Sequence, residues 1–227
     1  MKKFQCKKYR GVKNIMSKIY NWSENINENE LDNCIEVLRN EGIVIFPTET
    51  VYGIGANAYC EKSVKKIYEI KERPEEKPLS ILVSNIDEIT KYAIINNSIE
   101  EKIIKNFMPG PITIILEKKS GVFDYIASGK NTIGIRIPDN KIILKILENL
   151  KLPIVAPSAN ISGHPSGIEL SEILPDFENK VDICIDGGKS ELSESSTIVQ
   201  VVDNKINILR QGKILKQDIE KSLNKKL

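Results

Sequence analysis

The chain has 227 residues, 41% hydrophobic and 28% charged, an ordinary globular composition with room for one large domain or two small ones. Its net charge of +2 supplies no general argument for nucleic-acid binding. No stretch approaches the roughly 18 apolar residues of a membrane span, and the first residues lack the apolar core of a secretory signal. The four cysteines are scattered without a C-x-x-C pair, and His164 is the single histidine. That argues against a zinc site, a disulfide framework or a histidine triad, and it suits a reducing, cytoplasmic location.

Residues 1–27 carry Lys2, Lys3, Lys7, Lys8, Arg10, Lys13 and Lys18 before any acidic residue. They read as a basic, flexible extension, either solvated or in contact with RNA phosphates. A helix is expected over 28–40, where Leu31, Cys34, Ile35 and Leu38 share one face and Gly42 suits the cap beyond the end. The apolar run Ile43-Val44-Ile45-Phe46 reads as a buried strand that Pro47 stops. It empties into Thr48-Glu49-Thr50, then Tyr52, Gly53 and Gly55, which is how open α/β sheets place a ligand site at a strand end.

A second helix over 61–71 ends in Lys71-Glu72-Arg73-Pro74-Glu75-Glu76-Lys77-Pro78, and a strand over 79–83 begins at once. The charges of that loop suit either phosphate or the dipole of the helix end. Two short helices fill 86–107, Met108-Pro109-Gly110-Pro111 turns into a strand over 112–116, and a loop spans 118–131. The strand Thr132-Ile133-Gly134-Ile135-Arg136-Ile137 holds an arginine in an apolar run. Such a charge needs a partner, either a protein carboxylate or a bound carboxylate or phosphate.

A helix over 139–149 and a strand over 153–156 lead into a second strand-to-polar-loop transition, residues 157–167, with Ser158, Asn160, Ser162 and Ser166. There hydroxyl, amide and glycine N–H groups are available to a ligand, while His164 is expected to face solvent. A short helix near 169–174, a strand over 182–185, a hydroxyl cluster over 193–197 and a strand over 198–202 follow. Asp203-Asn204 is expected to turn a hairpin into 206–209 and Arg210-Gln211-Gly212, and a Lys-rich amphipathic helix closes the chain. Helices alternating with short strands, plus one hairpin, indicate an α/β fold with a mixed sheet.

Taken together and in order, Pro47-Thr48-Glu49-Thr50-Val51-Tyr52-Gly53, Lys71-x-Arg73, Pro109-Gly110-Pro111, Ile135-Arg136-Ile137-Pro138 and Ser158-x-Asn160 resemble the YrdC-like threonylcarbamoyl-AMP synthases over about 28–212. The resemblance implies a twisted mixed sheet with flanking helices around a large, positively lined cavity. The chain then divides into three parts: a basic extension (1–27) with no counterpart in the minimal family core, a YrdC-like catalytic domain (28–212) and a short amphipathic helix (213–227), without the further C-terminal domain of some members. The implied reaction joins L-threonine, bicarbonate and ATP into threonylcarbamoyl-AMP and pyrophosphate. The product serves the N6-threonylcarbamoyladenosine modification of tRNA through a transfer machinery, with weak tRNA contact and no membrane. Magnesium would be held mainly through the ATP phosphates, with no metal site in the protein.

Residue by residue, the resemblance implies that Arg136 grips the threonine carboxylate. Thr48, Ser80, Ser196 and the backbone of Ala156 line the amino-acid pocket, and Tyr52 supplies a wall or a hydroxyl. Lys71, Arg73 and Arg210 hold phosphates; Thr132, Ser158, Asn160 and Ser166 surround the nucleotide, with Glu75 on the same side. Lys71, Arg73, Ser158 and Asn160 form the catalytic set. The alternatives are an RNA-binding module of the same fold, the carbamoyl-adenylate unit of the much longer hydrogenase-maturation carbamoyltransferases, and a paralogue without synthase activity.

Overall fold

A computed structural model describes residues 16–224. The strands form one mixed sheet, and the short apolar runs become its centre. Two of them, β2 (Val44–Phe46) and β9 (Ile183–Asp186), pair in parallel. Their side chains alternate between two cores, as the two-residue period of a strand requires. Val44, Phe46, Ile183 and Ile185 face one core, and Ile45 and Cys184 face the other.

The first core is completed by two helices. α1 (Glu28–Arg39) starts at Asn27, whose side chain accepts from the N–H groups of Asn29 and Glu30. α5 (Lys141–Leu150) starts at Asn140 in the same way and buries Ile142, Ile143, Ile146, Leu147 and Leu150.

The second core lies under α2 (Glu61–Ile70), α3 (Ile86–Tyr92), α4 (Ser98–Phe107), α6 (Leu170–Phe177) and α7 (Lys216–Asn224). The remaining strands are β1 (Lys18–Asn21), β3 (Gly53–Asn57), β4 (Ser80–Leu82), β5 (Ala93–Ile94), β6 (Ile112–Lys118), β7 (Thr132–Arg136), β8 (Ile154–Val155), β10 (Thr197–Val202) and β11 (Lys205–Arg210). Their order is β1-β9-β2-β3-β8-β4-β7-β6-β10-β11, with β5 beside β6. β10 and β11 form the expected hairpin; Asp203 and Asn204 both have positive φ (50° and 58°), as a tight primed turn requires.

Two elements depart from the sequence reading. The glycine-bearing segment after Phe46 is not only a loop: β3 returns antiparallel to β2 and places Gly53 and Gly55 beside Phe46. A Cβ on Gly53 or Gly55 would lie 2.9 or 2.6 Å from the Phe46 ring, so both glycines make room for that ring.

The second departure concerns the expected flexible extension. Its residues before 16 lie outside the described ones, but residues 18–22 are built into the fold. β1 pairs in parallel with β9, and Trp22 is fully buried with Nε1 donating to Glu30 Oε2 at 2.7 Å. Tyr20 donates to Asn33 Oδ1 at 2.7 Å. An indole that finds both an apolar core and a hydrogen-bond acceptor anchors the chain, which the run of lysines conceals.

Candidate active site

The strand ends and loops that the sequence singles out converge. The loop 47–52 between β2 and β3, the end of β7, the loop after β8 and the start of β10 surround a cavity of about 130 Å³. Hydroxyls line it from Thr48, Thr50, Ser80, Thr113, Ser158, Ser195 and Ser196, together with the guanidinium groups of Arg73, Arg136 and Arg210. Among the described residues, no Asp or Glu stands in its wall. The enclosed part is smaller than the ~300–1,000 Å³ typical of sites for drug-sized ligands. It suits an amino acid or an anion; a nucleotide would extend outward.

Arg136 is 7% exposed. Its Nε donates to the Gly110 carbonyl at 3.2 Å and its Nη2 to Thr50 Oγ1 at 3.0 Å. The protein carboxylate posited for it is Glu49, buried and 2.7 Å from Nη2; the arginine also lines the cavity. Arg210 donates through Nε and Nη2 to the Ser196 carbonyl (3.2 and 2.8 Å) and through Nη2 to Ser196 Oγ at 3.1 Å. Although Arg210 as a whole is exposed, partial burial of its head group and the charges of Arg136 and Arg73 lower its pKa. Arg73, held by the Lys77 and Pro78 carbonyls (3.2 and 3.0 Å), is lowered by burial too. Crowded like charges with no acid in the wall make the cavity a place for anions.

Of the residues expected to bind threonine, Thr48, Tyr52, Ser80, Arg136, Ala156 and Ser196 all reach the cavity wall. Tyr52 serves as wall: its hydroxyl donates to the Gly188 carbonyl at 2.7 Å and accepts from the Gly187 N–H at 3.2 Å. Thr48 Oγ1 bonds to Thr50 Oγ1 and the Val51 carbonyl (2.7 and 2.6 Å), folding the loop on itself.

Of the residues expected on the nucleotide side, Arg73, Ser158 and Arg210 line the cavity. Asn160 and Ser166 line an adjacent hollow of about 500 Å³ with His164, which is exposed. Ser158 Oγ donates to Asn160 Oδ1 at 2.6 Å and joins the two spaces. Glu75 and Thr132 line neither.

Lys71 also lines neither; it is 2% exposed beneath the 158–160 loop. Its Nζ donates to the carbonyls of Ser158 and Asn160 (2.6 and 2.5 Å). Burial, then the charge of Arg73, pulls it down to about 8.

Sequence reasoning left out Glu49, Thr50 and Thr113. The first two lay inside a motif already quoted. Thr113, whose Oγ1 is 2.9 Å from Ser196 Oγ, carried no local signal, because the contact crosses from β6 to β10.

Cys34, Cys60 and Cys184 are free and buried, and burial pushes Cys34 and Cys184 up to about 12, so these two are inert as nucleophiles. Among the described residues no group of three or more His, Cys, Asp or Glu is placed to hold a metal, and no helix is long and apolar enough to cross a membrane.

A mixed α/β sheet whose strand ends enclose an arginine- and hydroxyl-lined cavity defines an α/β protein with a cavity suited to a small anion. The chain belongs to the Sua5/YciO/YrdC family, described as telomere recombination, whose model matches residues 36–212. It is 38% identical over 206 residues to the threonylcarbamoyl-AMP synthase of Pyrococcus abyssi, covering 91% of this chain and 61% of that one. Against the synthase of Bacillus subtilis it is 35% identical over 195 residues, covering 86% of this chain and 56% of that one. A provisionally named synthase of Methanocaldococcus jannaschii is 46% identical over 208 residues, with 90% and 96% covered. The chain thus spans under two thirds of the Pyrococcus and Bacillus relatives and nearly all of the Methanocaldococcus one. The crystal structure of Pyrococcus abyssi Sua5 complexed with L-threonine superposes with a TM-score of 0.88 at 37% identity, over 92% of this chain and 61% of that one. Escherichia coli YciO, 24% identical with a TM-score of 0.79 over 87% of this chain and 96% of that one, shares the fold.

Proposed function

We infer that this chain is an L-threonylcarbamoyladenylate synthase. L-Threonine, bicarbonate and ATP are joined to threonylcarbamoyl-AMP, with release of pyrophosphate. The observation that carries the reading is the convergence of Arg73, Arg136 and Arg210 on one hydroxyl-lined cavity with no carboxylate in its wall.

Arg136 takes the threonine carboxylate, with Thr48, Ser80, Ser196 and Ala156 around the amino acid. The threonine amine bonds to the carbon of bicarbonate, with loss of water, or to that of carbon dioxide, with loss of the amine proton to solvent, giving an N-carboxylate. One of its oxygens then attacks the α-phosphorus of ATP, and the bond to pyrophosphate breaks. No step needs a covalent enzyme intermediate. The protein contributes position and charge: Arg73 and Arg210 beside the phosphates, and the Ser158–Asn160–Ser166 loop along the nucleotide. Lys71 acts from beneath, fixing that loop through the Ser158 and Asn160 carbonyls. Glu75 and Thr132 are left without a role.

Magnesium enters as part of the Mg·ATP substrate, held by phosphate oxygens and water, since the wall supplies hydroxyls and carbonyls but no carboxylate. The labile product passes in the cytoplasm to the machinery that modifies tRNA. Pyrophosphate release by the purified protein, with threonine and bicarbonate omitted in turn, tests the reading. Release requiring both is expected. Release indifferent to threonine, or none at all, sinks the reading and turns attention to RNA binding.

A further inference from the structure

Glu49 is the middle residue of Thr48-Glu49-Thr50, yet its neighbours line the cavity and it does not. Its side chain is 5% exposed, and neither carboxylate oxygen accepts a hydrogen bond from a described residue. Arg136 Nη2 lies 2.7 Å from Oε1. By distance this is an ion pair, but by direction it is not a hydrogen bond: the Nη2 group instead donates to Thr50 Oγ1 at 3.0 Å. A buried carboxylate without hydrogen bonds is costly. What Glu49 supplies in return is negative charge behind a guanidinium. Arg136 is thereby gripped by Glu49, Thr50 and the Gly110 carbonyl. Its Nη1 makes no hydrogen bond with a described residue and is left for a ligand.

We propose that Glu49 is a positioning residue for threonine: from behind the cavity wall it holds Arg136 in place against the repulsion of Arg73 and Arg210. The inference rests on the synthase reading and on Arg136 as the carboxylate grip. Glu49 itself touches no substrate. Its neutralisation leaves three uncompensated arginines around one cavity, and the arginine free to move away is the one that has lost its counter-charge. The effect falls on threonine and spares Mg·ATP, because Arg73 and Arg210 keep their own carbonyl partners.

In the full chain, E49Q and wild type are compared by pyrophosphate release, titrating threonine at saturating ATP and bicarbonate, then ATP at saturating threonine. The threonine KM rises by about tenfold, the size of a coupling between contacting residues. The ATP KM stays put, and E49D, which keeps the charge, recovers most of the loss. The E49Q/R136K double variant is no worse for threonine than R136K alone, because Glu49 acts through Arg136. A merely structural role would lower the Tm and the active fraction while leaving the threonine KM unmoved. That result, or penalties that add in the double variant, overturns the proposal. Should E49Q fail to fold, the shorter neutral variant E49N decides: a raised threonine KM with an unchanged ATP KM supports the role, and two unchanged KM values overturn it. A wild type that releases no pyrophosphate from the three substrates removes the synthase reading and this inference together, so the two failures are distinct.

Discussion

At the scale of single residues, the cavity works through charges that are individually expensive to bury. On the proposed synthase reading, Arg136→Ala removes a fork from the threonine carboxylate, a charge-assisted contact of ~2–3 kcal/mol. Threonine-dependent pyrophosphate release should therefore fall by roughly 30–150-fold. The same change strands the Glu49 carboxylate and costs about 3–5 kcal/mol of stability, so Arg136→Ala must also lower the denaturation midpoint. An unchanged threonine dependence in a folded variant removes the assigned role.

Lys71 makes a pH prediction. Its folded pKa is about 8 against an ordinary 10.5. Between those values the unfolded chain binds more protons, so this group adds stability as pH rises through the window and withdraws it as pH falls through about 8. On the proposed reading activity runs the other way, because the neutral amine donates more weakly to the Ser158 and Asn160 carbonyls and brings no positive charge beneath that loop. An alkaline fall in pyrophosphate release near pH 8, without loss of stability, is the expected profile. A rate that stays flat there would remove Lys71 from the mechanism. That Lys71 belongs near the loop was legible from the K-x-R and S-x-N motifs. That it lies beneath the loop was not, because burial is set by residues 87 and 89 positions away.

At the scale of elements, the site depends on how closely backbones approach. Gly212 closes the β10–β11 hairpin against the start of β10, and a Cβ there would meet the Ser195 carbonyl oxygen at 2.1 Å and Thr197 N at 2.7 Å. Both are backbone atoms and cannot rotate away. Gly212→Ala should cost about 1–3 kcal/mol, as overpacking does, and should displace Arg210 from Ser196. Urea denaturation reads the first effect and the ATP KM the second; a variant normal in both would show that this contact does not shape the site.

The helices were readable from their periodic apolar faces, because that signal is local; the cap expected at Gly42 was not, since Glu41 takes the positive φ of 63° after α1. The return strand β3 was not: its glycines look like turn residues until Phe46 is seen to occupy the space where their side chains would be.

At the scale of the whole molecule, the stretch 18–27 is the largest revision to the sequence reading. Lys18–Asn21 extends the sheet at its edge, and Trp22 completes the core under α1 and α5. Trp22→Ala should cost roughly 3–5 kcal/mol, measured by chemical denaturation. A solvated tail would lose within about 0.5 kcal/mol, so the two pictures separate cleanly.

What the sequence by itself determined is the helices and most of the strands, the family, and most of the polar side chains that reach the cavity. Each is written in a short window: an apolar period, a cap, or a motif of a few residues. Only the tertiary structure decided how those groups are placed against one another. It set Arg136 against Glu49, put Lys71 beneath the loop it was expected to join in binding phosphate, and drew part of a basic tail into the sheet. Charge partners and burial arise between segments far apart in the chain, and no local pattern encodes them.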